Sequence, residues 1–170
     1  MLCLQAKNYP SVWRDLARYN ACVVHLIRQN VLDIFISDTV RKAVGKAHCN
    51  ATDVHTCRAR ITLPVASLLP SLTKLEDLQA QWSHFLLTSQ ITFHTVFYES
   101  LHNANTSAAR KTFSQLLRFL NPQSVPGVDA SNPFPHSVYV KIGASQRDTL
   151  RNFDEVQAAL AGTRFESYVH

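Results

Sequence analysis

At 170 residues, 46% of them hydrophobic, the chain is long enough to bury a core of its own, and a disulfide scaffold is unnecessary. Four glycines argue against a hairpin-dense all-β protein, and the apolar content argues against disorder. The formal net charge of +5 arises wholly in the first sixty residues, where nine Lys/Arg face four acids while the other 110 residues balance at eight against eight, a distribution that suits an ordered body holding a polyanion along one side.

The opening Met1 to Lys7 has no charged n-region followed by an apolar h-region. No window approaches the ~18 uninterrupted apolar residues that a membrane span requires, so a soluble chain is expected. Cys3, Cys22, Cys49 and Cys57 show no Cys-x-x-Cys spacing, and free thiols in a reducing compartment are the simpler expectation. Asn50-Ala-Thr52 and Asn105-Thr-Ser107 fit the glycosylation acceptor pattern, which implies secretion only if the sites are used.

From Ser11, the apolar residues Trp13, Leu16, Ala17, Val23, Val24, Ile27, Val31 and Ile34 recur at helical spacing with Arg14, Arg18 and Arg28 mostly off the stripe, which predicts a first amphipathic helix. Ser37-Asp38 reads as the N-cap of a second, carrying Val40, Ala43, Val44 and Ala47 inward and Arg41, Lys42 and Lys46 outward. His48 to Cys57 reads as an exposed loop, and the following Arg58-Ala-Arg-Ile-Thr-Leu-Pro64 alternates like a short strand offering Arg58 and Arg60 on one side. Thr73-Lys-Leu-Glu76 matches a capping box ahead of a third helix with Leu72, Leu75, Leu78, Trp82, Phe85 and Leu86 on its stripe.

Thr88 to His102 predicts a fourth helix through Ile91, Phe93, Val96, Phe97 and Leu101, held by packing because its β-branched and aromatic residues are poor helix formers. After Asn103 to Ser107 a fifth carries Phe113, Leu116, Leu117 and Leu120 and stops at Asn121-Pro122. Asn121 to His136 holds four of the seven prolines and reads as a linker. Beyond it, Val138, Val140 and Ile142 alternate like an edge strand, and Ser145-Gln-Arg-Asp148 opens a last helix with Leu150, Phe153, Val156 and Leu160 before Gly162.

Three constellations bear on chemistry. His48, Cys49, His55 and Cys57 put four metal-ligand types within ten residues, but adjacent ligands at 48 and 49 strain to meet one ion and no paired two-residue gap exists, so a plain polar loop is the expectation. His84, His94 and His102 have no acidic partner at i+3 or i+4 and read as solvent-facing or core histidines. No nucleophile elbow or phosphate loop appears and the twelve acids are scattered, adjacent only at Glu76-Asp77 and Asp154-Glu155, so catalysis and cofactors are not expected. Arg41, Lys42 and Lys46 on one helix, followed by Arg58 and Arg60, form instead a candidate phosphate-neutralising set, whose binding is independent of base sequence and weakens with salt.

The order of parts resembles the coat proteins of rod-shaped plant RNA viruses, the tobamovirus, tobravirus, hordeivirus and benyvirus group. The likeness lies in Trp13-Arg-Asp-Leu16 opening the first helix, Ser37-Asp-Thr-Val-Arg-Lys-Ala-Val44 opening the second, Arg60-Ile-Thr-Leu-Pro64 before the third, and Ala109-Arg-Lys-Thr-Phe113 closing the fourth. It covers about residues 10 to 120 and implies helices that stack side by side into a rod, with the inner end gripping single-stranded RNA through arginines. Arg41, and then Arg58 and Arg60, would contact phosphate, and Arg110 would hold the closing segment at the outer radius. Two departures stand out: no arginine occurs between Arg60 and Arg110 to meet Asp77, and residues 121–170 have no counterpart. A second register, from Trp82 through Asn132-Pro-Phe-Pro135 to Val138-Tyr-Val140, leaves no room for the fourth helix.

The expected fold is all-α: a four-helix bundle core with short strand pieces over residues 1–120, a Pro-rich linker over 121–136 and a strand-plus-helix extension over 137–170. The expected function is that of a non-enzymatic capsid protein whose partners are single-stranded RNA and copies of itself, located in the virion and, during assembly, in the host cytoplasm. A secreted four-helix ligand with paired cysteines is the alternative class, and a helical metalloenzyme at His48 to Cys57 the third.

Overall fold

The structure, a computed structural model, describes residues 10–45, 59–102, 107–120 and 145–170. Of these, 67% are helical, in seven α-helices and two short 3-10 turns, with a two-stranded parallel sheet. Helix α1 spans Pro10–Arg18, strand β1 Val23–Ile27, helix α2 Val31–Val44, helix α3 Leu68–Thr88 and strand β2 Phe93–Phe97. Helices α4 (Tyr98–His102), α5 (Ser107–Leu120), α6 (Gln146–Thr149) and α7 (Phe153–Leu160) complete the order.

The predominance of helix agrees with the composition, but several of the expected helices are interrupted or start elsewhere. The stretch from Ser11 to Ile34 is α1, β1 and the start of α2. Asn20 takes a left-handed backbone conformation, φ 48°, which a short polar side chain tolerates, and this ends α1 before Val-Val-His-Leu-Ile extends as a strand. Asn30 then caps α2, its Oδ1 accepting from the Asp33 amide at 3.0 Å. Ser37 and Asp38, expected at that cap, lie inside the helix. Gly45 closes it in the left-handed region, φ 72°, donating its N–H to the Arg41 carbonyl at 2.9 Å.

The second correction falls on Thr88 to His102, where β2 and the five-residue α4 replace a continuous fourth helix. Phe93, Thr95, Val96 and Phe97 are strand formers, and they pair in register with β1 from Val23↔Phe93 to Ile27↔Phe97. Helix α3 begins five residues before Thr73; Pro70 falls in its first turn, where the missing N–H had no intrahelical acceptor to lose. Helix α5 matches expectation. The final helix is split, because Ser145 caps α6 and Leu150 then leaves helical geometry to bridge Ile61.

The described residues group into two compact units, one of 10–29, 79–102 and 107–120 and the other of 30–45, 59–78 and 145–170. The grouping cuts across an organisation ordered along the chain, since 145–170 share a core with residues of α2 and the first half of α3. The expected linker at 121–136 and the strand at Val138 to Ile142 lie outside the described residues.

The second unit has the larger core: Val31, Leu32, Leu68, Leu72, Leu150, Val156 and Leu160 are fully buried. The segment before α3 joins it through a parallel bridge, with Ile61 donating to Thr149 at 2.9 Å and accepting from Arg151 at 2.8 Å. Asn152 prolongs that ladder with its side chain, accepting from the Leu63 amide at 3.0 Å and donating to the Leu63 carbonyl at 2.9 Å. Gln146, 4% exposed, donates to Asp33 and to the Tyr168 carbonyl, both at 2.8 Å, and accepts from the His170 amide at 3.2 Å.

In the first unit, Trp13 meets Trp82 and Phe85 at ring separations of 5.7 and 4.8 Å, so α1 and the second half of α3 form an aromatic core. Helix α5 packs on α4 and β2, where Phe119 stacks on His94 at 5.2 Å.

Candidate nucleic-acid interface

Of the five cations expected to meet RNA, Lys46 and Arg58 lie outside the described residues. Arg41 and Lys42 occupy the last turns of α2, a favourable place for positive charge at the helix C-terminus. Both are drawn to one carboxylate: Arg41 bonds Asp38 at 2.6 Å and Lys42 meets it at 2.7 Å. The Lys42 ammonium and then the Arg41 guanidinium hold the Asp38 carboxyl below the usual 3.8. Arg60 turns toward the protein and donates to the Leu150 carbonyl at 3.1 Å. These three side chains belong to the second unit, and each already has a protein acceptor.

The charge of the described residues sorts by unit rather than by position along the chain. The first unit holds six basic residues (Arg14, Arg18, Arg28, Arg110, Lys111, Arg118) against Asp15 and Glu99, an excess of four, whereas the second holds seven basic against eight acidic. In the second unit Asp38 answers two cations, Asp154 meets Arg147 at 3.4 Å and Glu76 meets Arg164 at 2.9 Å. Thr73 and Glu76, expected to cap α3, contact Arg164 instead.

In the first unit, Arg28 lies over the Tyr98 ring at 5.0 Å and Arg18 over Tyr19 at 5.8 Å. Arg14, Arg110, Lys111 and Arg118 make no side-chain hydrogen bond or ion pair with the described residues. The last three share α5, Ser-Ala-Ala-Arg-Lys-Thr-Phe-Ser-Gln-Leu-Leu-Arg-Phe-Leu, which contains no acid. At 100° per residue its exposed positions fall in one arc of about 160° containing Arg110, Lys111, Ser114, Gln115 and Arg118. The opposite arc carries fully buried Ala109 and half-buried Phe113, Leu116, Leu117, Phe119 and Leu120.

Charge summed in blocks along the chain hides these residues, because α5 falls in the stretch that balances overall. The available signal was local: three cations and no acid between Ser107 and Leu120, bounded by helix breakers. Arg110, expected from the coat-protein likeness to hold a closing segment, is exposed and has no such contact among the described residues.

The first unit also carries most of the exposed large apolar side chains: Val12, Tyr19, Val24, Leu26, Leu87 and Phe97, with Leu26 at 55% and Leu87 at 72% exposure. Val24 and Leu26 sit on the same sheet face as their register partners His94 and Val96. Helix α5 covers the β2 side of that face, and the β1 side stays open.

His25 points to the other face, where its Nδ1 lies 3.5 Å from the Thr95 hydroxyl, and burial pushes its imidazole below the ordinary 6.5. The unfolded chain therefore takes up this proton more readily than the folded one, so His25 favours folding above pH 6.5 and that contribution declines as pH falls below it. In urea titrations at neutral and mildly acidic pH, His25→Asn is expected to flatten the fall in midpoint seen in the parent protein.

Among the described residues no cluster of three or more His, Cys, Asp or Glu is placed to hold a metal ion. The loop with His48, Cys49, His55 and Cys57 lies outside them, as do Asn50 and Asn105. His84 is exposed, and Cys22 is a free, exposed thiol. No helix among the described residues is long and apolar enough to cross a membrane. Compared with known proteins, the chain matches no family model, no curated protein and no solved structure.

Proposed function

We propose that the chain is a coat subunit, a helical protein that associates with copies of itself and packages single-stranded RNA by neutralising phosphates, with no chemistry of its own. The observation that carries this reading is the partition of charge: among the described residues, an excess of four positive charges on the first unit against a near-balanced second unit. Uncompensated cations are costly to gather on one body unless an anion is to be met there, and a polyanion gains from releasing its counterions. The exposed Val24, Leu26 and Leu87 on the same unit supply apolar area for contact between copies.

On this reading the helices of both units make up the body of one subunit. The resemblance to rod-shaped virus coat proteins makes side-to-side addition into a helical rod the mode of assembly, in the virion and before that in the host cytoplasm. The test is negative-stain microscopy of the purified full chain with and without single-stranded RNA at low salt. Rods or discs are expected, lengthening when RNA is added; discrete globules that ignore RNA at every salt concentration overturn the proposal.

A further inference from the structure

The geometry points to the outer arc of α5 as the surface that meets the RNA backbone, with Arg110, Lys111 and Arg118 as its phosphate contacts. This assignment rests on the coat-subunit reading and deepens it, because it moves the RNA contact from the cations of α2 to a different helix of a different unit.

Helix α5 uses its two sides differently. Its inner arc is committed to the protein: Ala109 is fully buried and Phe119 stacks on His94 of β2. That packing fixes the rotation of α5 about its axis, and the rotation turns Arg110, Lys111 and Arg118 outward. Lys111 and Arg118 are two turns apart on nearly the same line, about 10 Å along the axis at 1.5 Å per residue, and Arg110 flanks them. A strand lying along the helix therefore passes several cations in succession.

The chemistry between the cations also suits a sugar-phosphate chain. Gln115 is exposed between Lys111 and Arg118 and offers its side-chain amide to phosphate or ribose oxygens, whereas the Ser114 hydroxyl donates to the Arg110 carbonyl at 2.9 Å, and no carboxylate on the helix competes with the anion. Arg41 and Lys42 differ in this respect, because Asp38 must be displaced before either presents its full charge. An anionic membrane is the poorer fit. A helix that lies on lipid inserts an apolar face, and the apolar face of α5 is already spent on β2 and α4.

The experiment compares full-length variants by fluorescence anisotropy of a labelled oligouridylate across a salt series. Each phosphate contact on a single strand contributes about 0.7 to the slope of log affinity against log salt. The triple variant Arg110→Gln, Lys111→Gln, Arg118→Gln is expected to lower that slope by about 2 and the affinity at low salt by about two orders of magnitude. Arg110→Lys with Arg118→Lys retains the slope if charge is what matters, and unchanged far-ultraviolet dichroism shows that the triple variant remains folded. Lys74→Gln with Arg151→Gln, which removes two exposed cations of the other unit, is expected to leave the slope unchanged.

An undiminished slope in the α5 variant, or the larger loss in Arg41→Gln with Lys42→Gln, overturns this assignment while leaving the coat-subunit reading in place. A parent protein that does not bind the oligouridylate at low salt overturns both. Binding to vesicles of phosphatidylserine with none to oligouridylate also overturns both.

Discussion

Replacing Leu160 with alanine is expected to cost the second unit about 2–5 kcal/mol, enough to consume a large part of a small domain's stability. Leu160 is fully buried at the end of α7 and belongs to the same cluster as Val31 and Leu32 of α2 and Leu68 and Leu72 of α3. Truncation removes its transfer free energy and leaves a cavity among side chains held by three separate chain segments, which restricts their collapse. The measurement is a denaturant titration, with Leu87→Ala as the control. Leu87 is 72% exposed, so its loss should fall within about 0.5 kcal/mol. If residues 145–170 were an appendage, Leu160→Ala would leave the stability of α2 and α3 untouched.

Asn152→Leu is expected to cost about 2–4 kcal/mol, by a different mechanism. The Asn152 amide serves both backbone groups of Leu63, a residue 1% exposed, so leucine at 152 leaves a buried donor and a buried acceptor without their side-chain partner. Its size is close to that of asparagine, which separates loss of hydrogen bonding from loss of volume. Hydrogen exchange locates the effect: the Leu63 amide should lose protection while the amides of β1 and β2 keep theirs. Equal protection at Leu63 in parent and variant would show that the two bonds contribute nothing.

What the sequence revealed depended on whether each element's cause lay nearby. Helix α5 was readable because its polar and apolar arcs, its cap region and its stop are all local. Helix α7 was readable for the same reason, ending near Gly162. The strands were not. Val23, Val24 and Ile27 satisfy a helical spacing as well as a strand's alternation, and what decides between them is a pairing with Phe93 to Phe97, seventy residues away. The start of α2 went to Ser37-Asp38 because the pair looks like a cap, but Asn30 does that work and leaves Asp38 to pair with the cations at i+3 and i+4.

The charge of the chain is also only partly legible from residue order. A block of nine cations in sixty residues is conspicuous, but the fold divides the six described ones between the two units and answers Arg41, Lys42 and Arg60 with an acid or a carbonyl. The three cations of α5 emerged only when burial assigned each of its residues to a side. Charge that matters for a ligand is what remains after the protein has satisfied its own.

The pairing of Val23–Ile27 with Phe93–Phe97 has a consequence for how the molecule is made. A ribosome adding about 5–20 residues per second delivers the second strand roughly 4–14 s after the first. Throughout that interval Val24 and Leu26 travel as a nascent hydrophobic edge with no native neighbour. The other unit waits longer still, since Asn30 finds the Tyr168 carbonyl only across a separation of 138 residues. The described residues of the first unit have all been synthesised once α5 is made, whereas the core of the second waits for residues 145–170, so the two units mature at different times during translation.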